Sequence, residues 1–308
     1  MRVILLGPQR RPTVDAVARS LSLGVSAPAA VVTAGWQERE PDDGELSRLL
    51  GSRDVNLRLY QRWLDVQERD PVFAAGERRL AGVLEELQDV YLLRLDHALR
   101  AVYAVQRRGD GLPLGAGVLA EAIDAVRELD AAHLRRVGAV RGEFYQELHP
   151  HDRPVIAEHR ADVAARLGDA AAVVIAGGHV GVLADALHLF NVAASLRSGV
   201  IAWSAGAMAL GQRIVLFHDR SAHGPGHPEI YGSGLSAFRN VVPLPHARAR
   251  LLLEDAPRMA VFARRFAPAR CVLLENGTRM DTDQDGTCPP GIRVLAPDGR
   301  VTTLEAAA

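Results

Sequence analysis

"AAVVIAGGHVGVLADALHLFNVAASL", residues 171–196, and "GVIAWSAGAMALG", residues 199–211, together decide the fold. The opening run "AAVVIAGG" (171–178) is apolar and ends in two glycines, as expected of a strand buried on both faces. Helical spacing follows through "HVGVLADALHLFNVAASL". A second apolar run, "GVIAWS" (199–204), reads as another strand, and the small residues after it start a helix. Strand, helix and strand in about 30 residues define a parallel pair with a right-handed crossover. Ser204 stands at the bend where the second strand turns into its helix.

The same alternation lies upstream. "RVILLG" (2–7) and "AAVVTAG" (29–35) are short apolar runs ending in glycine, joined by the helical pattern "PTVDAVARSLS". From about 44 to 148 the period changes. Val83, Leu84, Leu87, Val90, Tyr91, Leu95, Leu99 and Val102 recur at helical spacing, and "RRGDGLPLGAG" (107–117) breaks the run. Val118, Ile123, Val126, Leu129, Leu134 and Val137 then resume it. Long amphipathic helices are expected here. "LHPHD" (148–152) reads as their end rather than as a metal pair. Downstream, "RIVLF" (213–217) and "RNVVPL" (239–244) read as strands, and a helix is expected near 247–265. "RCVLLEN", "GIRVLAP" and "RVTTLEA" read as terminal strands with tight turns at Asn276-Gly277 and Asp298-Gly299. The expected architecture is an α/β three-layer sandwich with a mostly parallel sheet, interrupted by a helical insertion. The division is residues 1–43 and 154–308 for the α/β domain, with 44–153 as the insertion.

Composition narrows the function. The chain has 308 residues, 48% hydrophobic, and a net charge of −1. That balance gives no electrostatic footprint for nucleic acid and no polybasic membrane patch. All 36 basic residues are arginine. The absence of lysine excludes a lysine Schiff base, a P-loop lysine and a Ser-Lys dyad. Two cysteines, Cys271 and Cys288, are too few for a disulfide scaffold, and neither sits in a strand-to-helix bend. "MRVILLG" is too short for a signal peptide, and a cytoplasmic location is expected.

Ser204 admits two readings. A nucleophile on a strained strand-to-helix turn needs small neighbours two positions away, and Ala202 and Gly206 meet that need. Alternatively, Ser204 only caps the helix. A nucleophile needs a base and a group that orients it. His246, in "VVPLPHARAR", and Asp219, in "IVLFHDRS", each follow a strand candidate and are expected at the carboxyl edge of the sheet, where open α/β folds gather ligands. Gly178, in "AGGHVG", and Ala205, first in the helix after Ser204, can offer backbone N–H groups to an oxyanion. Arg248 and Arg250 lie close enough to His246 in sequence to bind a carboxylate. "HDRSAHGPGHPEIYG" (218–232), with His218, His223, His227 and Glu229, reads as an active-site loop, because its spacing matches no standard ligand motif. "DTDQDG" (281–286) starts like a calcium loop, but Ile292 stands where the bidentate glutamate belongs, so it reads as a turn.

Taken in order, "IAGGHVGVL", "IAWSAGAM", Asp219 and "LPHARARLLL" resemble the S51 serine peptidases, the family of the aspartyl dipeptidases and cyanophycinases. The similarity covers about 30–57 and 165–300, with "TAGWQERE" (33–40) where that family has its second strand and loop. The resemblance implies a class I glutamine-amidotransferase-like, flavodoxin-like fold without a cofactor or metal. It implies Ser204 as nucleophile, His246 as general base, Asp219 as the orienting acid, and Gly178 and Ala205 as the oxyanion hole. The implied substrate is a small peptide or peptide-like molecule. His179-Val180 departs from the asparagine-threonine or aspartate-glutamine pairs of the family, which places His179 among the substrate-binding positions. The helical block lies outside the family's compact core and suits a lid, a partner surface or a homodimer interface. Two alternatives stay open: a non-catalytic binding or regulatory protein on the same fold, and an amidase or transferase using the same serine.

Overall fold

A computed structural model describes residues 1–9, 14–20, 28–108, 115–197, 199–220 and 226–305. In chain order its elements begin with β1 (Val3–Leu6), α1 (Val14–Ser20), β2 (Ala29–Val32), α2 (Gly44–Leu49), β3 (Asp54–Asn56) and α3 (Leu59–Arg69). Two long helices follow, α4 (Pro71–Arg108) and α5 (Gly115–Leu148), then α6 (Pro154–Asp169), β4 (Ala172–Ile175), α7 (Val180–Leu189) and α8 (Val192–Ser195). The last part comprises β5 (Gly199–Trp203), α9 (Ala205–Leu210), β6 (Arg213–Leu216), β7 (Glu229–Ser233), β8 (Val241–Pro245), α10 (Ala247–Arg250) and α11 (Ala256–Phe266). It closes with β9 (Arg270–Leu274), β10 (Arg279–Thr282), β11 (Arg293–Leu295) and β12 (Val301–Thr303).

The main sheet has six strands in the order β10-β1-β5-β4-β2-β3. All pairs are parallel except β10 against β1. The apolar runs alternate across it. Leu5, Val32, Ile175 and Ala202 face one core, shared with α3, α6, α7 and α9. Leu6, Val31, Val174 and Trp203 face the other, shared with α1 and α2. Helices therefore cover both faces, which is the three-layer α/β sandwich expected from unbroken hydrophobic strands.

Two departures from the sequence pattern bear on the site. First, the stretch beginning at 44 is not helical throughout. β3, a polar Asp-Val-Asn triplet, extends the sheet beyond β2, and Asn56 Nδ2 donates to Thr33 Oγ1 at 2.8 Å. Second, the strands before Asp219 and His246 lie outside the main sheet. β6 pairs with β7, and β8 joins a separate four-stranded sheet, β12-β11-β9-β8. β5 already has β1 and β4 as neighbours, so the main sheet offers no place beside it. The helix expected near 247–265 is broken into α10 and α11 by residues 251–255.

α4 and α5 form the long helical insertion. At 38 residues, α4 is about 57 Å long. Its start is fixed by Asp70, which accepts the Phe73 N–H at 3.0 Å, and by Pro71 in the first turn. Farther along, Tyr91, Leu95, Leu99 and Val102 meet Ile123, Val126 and Leu129 in a second core that includes α11, β8 and β9. The expected helix end at "LHPHD" is present: α5 stops at Leu148 and a 3-10 turn spans Pro150–Asp152. No helix among the described residues is long and apolar enough to cross a membrane.

His133, on α5, is buried and stacks on Tyr91 with ring centroids 4.1 Å apart. Its Nε2 has no hydrogen-bond partner. Burial holds its pKa below the ordinary 6.5. As pH falls through that ordinary value, the unfolded chain takes up a proton that the folded chain refuses, so stability declines. His133→Phe is expected to flatten this acid-side decline. Urea unfolding of both proteins at about pH 5.5 and about pH 8 checks it, because wild type must lose more stability on acidification than the variant.

Candidate active site

Ser204 follows the last residue of β5 and precedes α9. Its backbone is at φ 50°, ψ −122°, a region that costs a non-glycine residue on the order of 1–3 kcal/mol. It makes no side-chain capping hydrogen bond to α9. The backbone is therefore strained at the bend, and the hydroxyl does not serve the helix. It lines a cleft of about 690 Å3, together with Gly178, Ala205, His246 and Arg250.

Close packing explains the small residues around the bend. A Cβ on Gly206 would lie 2.5 Å from the Ile175 carbonyl oxygen and 2.8 Å from that of Ala176. Both are backbone atoms at the end of β4 and cannot step aside. Gly206→Ala is expected to cost about 1–3 kcal/mol, measured by urea unfolding. An unchanged midpoint would mean that the bend is looser than this packing implies. On the other wall, a Cβ on Gly177 would come within 2.9 Å of Ser204 Cβ. Gly178 is at φ +117° and backs onto Gly35, whose carbonyl accepts the His179 N–H at 2.7 Å. The glycine turn thus brings backbone directly against the serine. Ala205 is the first residue of α9, whose intrahelical bonding starts at Met208 N–H to Ser204 C=O, 3.2 Å. Its N–H is among those that a helix leaves without an internal partner.

His246 stands at the end of β8 with a left-handed backbone, φ 56°. Its N–H donates to Leu274 C=O at 3.3 Å, and α10 begins immediately after it. Sequence reasoning passed over Glu275. In the parallel register, Pro245 pairs with Leu274, so Glu275 follows β9 just as His246 follows β8. Its carboxylate accepts the Arg248 N–H at 2.8 Å and so secures the turn that carries His246. An acid directly after a strand beside the histidine's strand was the available signal.

Asp219 is buried, with its side chain fully enclosed. Arg258 Nη2 donates to its Oδ1 at 2.7 Å and Arg258 Nε to its Oδ2 at 3.2 Å. The Leu252 N–H adds a bond to Oδ2 at 3.1 Å. Asp219 N–H donates to Arg250 C=O at 2.7 Å. Asp219 therefore ties down the end of α10, and it is not among the residues lining the cleft.

The two arginines diverge. Arg250 lines the cleft, half-buried, with its guanidinium 6.0 Å from the centroid of Phe217, and burial lowers its pKa. A desolvated cation in a cleft is suited to an anionic group. Arg248 is exposed and does not line it. Asp42 and Glu45, near α2, bring negative charge to the same cleft. His179 also lies outside the lining. Its Nδ1 accepts the Val182 N–H at 3.2 Å and caps α7.

In the loop after β6, His223 falls outside the described residues. The described part docks on the helical insertion: His227 stacks on Tyr103 at 6.1 Å and its Nε2 is 3.5 Å from Asp96. The "DTDQDG" turn closes on itself, since Asp283 accepts the N–H groups of Asp285 and Thr287, each at 3.0 Å. Among the described residues, His149, His151 and Asp152 form a group close enough for a metal ion, with ligand atoms within 4.8 Å. They are exposed and do not line the cleft.

No family model matches this chain, and no curated protein does. Among solved structures, a peptidase from an acI-B1 Actinobacterium is similar with a TM-score of 0.46 at 13% identity, over 100% of this chain and 95% of that one.

Proposed function

We propose that the chain is a serine hydrolase acting on peptide or isopeptide bonds of small substrates. The observation that carries this reading is Ser204 itself: a strained, uncapped serine on the wall of a cleft that also holds His246. Ser204 Oγ attacks the substrate carbonyl while His246 accepts its proton, and the N–H groups of Gly178 and Ala205 receive the developing oxyanion. His246 then protonates the leaving amine, and water releases the acyl group by the reverse proton path. Asp219 supports His246 through the backbone of α10 and Glu275 through its N-terminal turn, which makes both positioning residues. Arg250 takes a substrate carboxylate, and Asp42 and Glu45 suit an amine at the other side of the cleft.

The test is labelling with a fluorophosphonate probe. Wild type is expected to be labelled on Ser204, and Ser204→Ala is expected to escape. Absence of labelling in folded wild type sinks the assignment. One observation favours a second reading, a non-catalytic binding protein on this fold: Arg258 and Leu252 occupy both oxygens of Asp219. That reading expects no labelling. Screening aspartyl dipeptides, β-aspartyl-arginine and simple esters separates a peptidase from an amidase or transferase.

A further inference from the structure

A second cavity, of about 300 Å3, opens between the 3-10 segment Ala34–Arg39, α3, α7 and the near ends of α4 and α5. It shares no lining residue with the Ser204 cleft. Tyr60, Trp63, Phe73, Phe144 and Tyr145 set five aromatic side chains into its walls. Tyr60 and Trp63 lie 5.5 Å apart by centroid, and Phe73 and Phe144 lie 5.6 Å apart. Two carboxylates line it as well: Asp185, which is paired with Arg141, and Glu77.

Glu77 Oε2 accepts the Trp63 Nε1–H at 2.9 Å and a second bond from Gln67 Nε2. Both bonds go to that one oxygen, which leaves Oε1 as the atom open to a ligand. Arg141, which also lines the cavity, makes its hydrogen bond elsewhere: its Nη2 donates to Asp185 Oδ1 at 2.8 Å. Arg78 also lines the cavity but is exposed. Burial, reinforced by the negative charge of Asp185, pushes the Glu77 carboxyl up. Its bonds to Trp63 and Gln67 and the Arg141 charge offset only part of the cost of burying a carboxylate among these rings. The ring faces themselves attract a cation through their quadrupoles. The volume falls at the lower end of the range for ligand pockets, roughly 300–1,000 Å3.

We infer that this cavity binds a small primary amine bearing an aromatic or branched apolar group, with its ammonium on Glu77 and its apolar body against Trp63, Tyr60, Phe73 and Phe144. The inference does not depend on what Ser204 does.

The test uses 2-phenylethylammonium, titrated into the full chain and followed by calorimetry and tryptophan fluorescence. Phenylacetate and 2-phenylethanol are comparators of similar size with negative and zero charge. The ammonium is expected to bind one to one, at least about tenfold tighter than either comparator. Glu77→Gln is expected to weaken it at least about tenfold. Ala81→Trp, placed at an exposed lining position, is expected to abolish it by filling the cavity. Ser204→Ala is expected to bind as wild type does. No saturable binding to wild type overturns the inference, as does equal affinity for the three probes. So does binding that survives Ala81→Trp or disappears in Ser204→Ala. Should Glu77→Gln fail to fold, Ala81→Trp decides alone.

Discussion

Ser204→Ala is expected to lower hydrolytic turnover by about 10^4-fold or more while leaving the thermal midpoint in place. The two halves of this expectation have separate causes. On the proposed mechanism turnover collapses because no acyl-enzyme forms without Oγ. Stability holds because Ser204 makes no capping bond to α9, so alanine removes nothing from the fold. Alanine also occupies φ 50°, ψ −122° at a similar conformational cost, so the strain at the bend stays. A capping serine would behave in the opposite way, losing about 1 kcal/mol of stability with turnover intact. His246→Ala is expected to reach a similar loss of turnover. The double variant should be no slower than either single if the proposed nucleophile and base act as one unit. p-Nitrophenyl acetate turnover and the rate of fluorophosphonate labelling provide the measurements. Losses that multiply in the double variant would mean that His246 does not serve Ser204.

Much of this site could be read before the structure, and the reasons are local. The strand runs 171–178 and 199–204 are apolar on both faces, the pattern of a strand buried between two layers of helices. Gly206 follows Ser204 by two positions because the bend packs against β4 backbone there, so steric need is written directly into residue type. What escaped was set by partners distant in sequence or by weak patterns. β3 (Asp-Val-Asn) and β10 (Arg-Met-Asp-Thr) are polar edge strands without an apolar run. The capture of Asp219 by Arg258 joins residues 39 positions apart, and no spacing rule anticipates it. Arg248 and Arg250 looked equivalent as neighbours of His246. They sit two residues apart on a helical turn, about 200° around it, so only one can face the cleft. His179 looked like a pocket residue because it departs from the motif of the family the sequence resembles; in the structure it caps α7 and lies outside the cleft lining.

The second large effect lies in the helical insertion. Arg265 of α11 is buried and donates from Nε to Asp130 Oδ2 at 2.7 Å and from Nη2 to Asp130 Oδ1 at 2.6 Å. It also donates to Tyr91 Oη at 2.9 Å and to Pro228 C=O at 2.6 Å. Tyr91 Oη in turn donates to Asp130 Oδ1 and accepts the Ile230 N–H. One ion pair thus fastens α4, α5 and the start of β7 to α11. Asp130→Ala strands a guanidinium out of reach of water, and the expected cost is about 3–5 kcal/mol. Replacing both charges with apolar residues, Asp130→Leu with Arg265→Met, removes the stranded charge as well as the pair. A buried ion pair and a packed apolar pair are often close in free energy, so the double variant is expected to be more stable than Asp130→Ala. Urea unfolding of the variants measures this. A cost below about 1 kcal/mol for Asp130→Ala would show that water reaches Arg265. The consequence extends toward the cleft. Pro228 and Gly226 belong to the segment after Asp219, and Gly226 C=O accepts a bond from Arg258, the same residue that clamps Asp219. Loosening the insertion at Asp130 therefore loosens Pro228 and Gly226, whose carbonyls bond Arg265 and Arg258, and through Asp219 N–H to Arg250 C=O it reaches the turn that carries His246. Asp130→Ala should accordingly slow fluorophosphonate labelling of Ser204 under conditions where the variant remains folded, although Asp130 does not line the cleft.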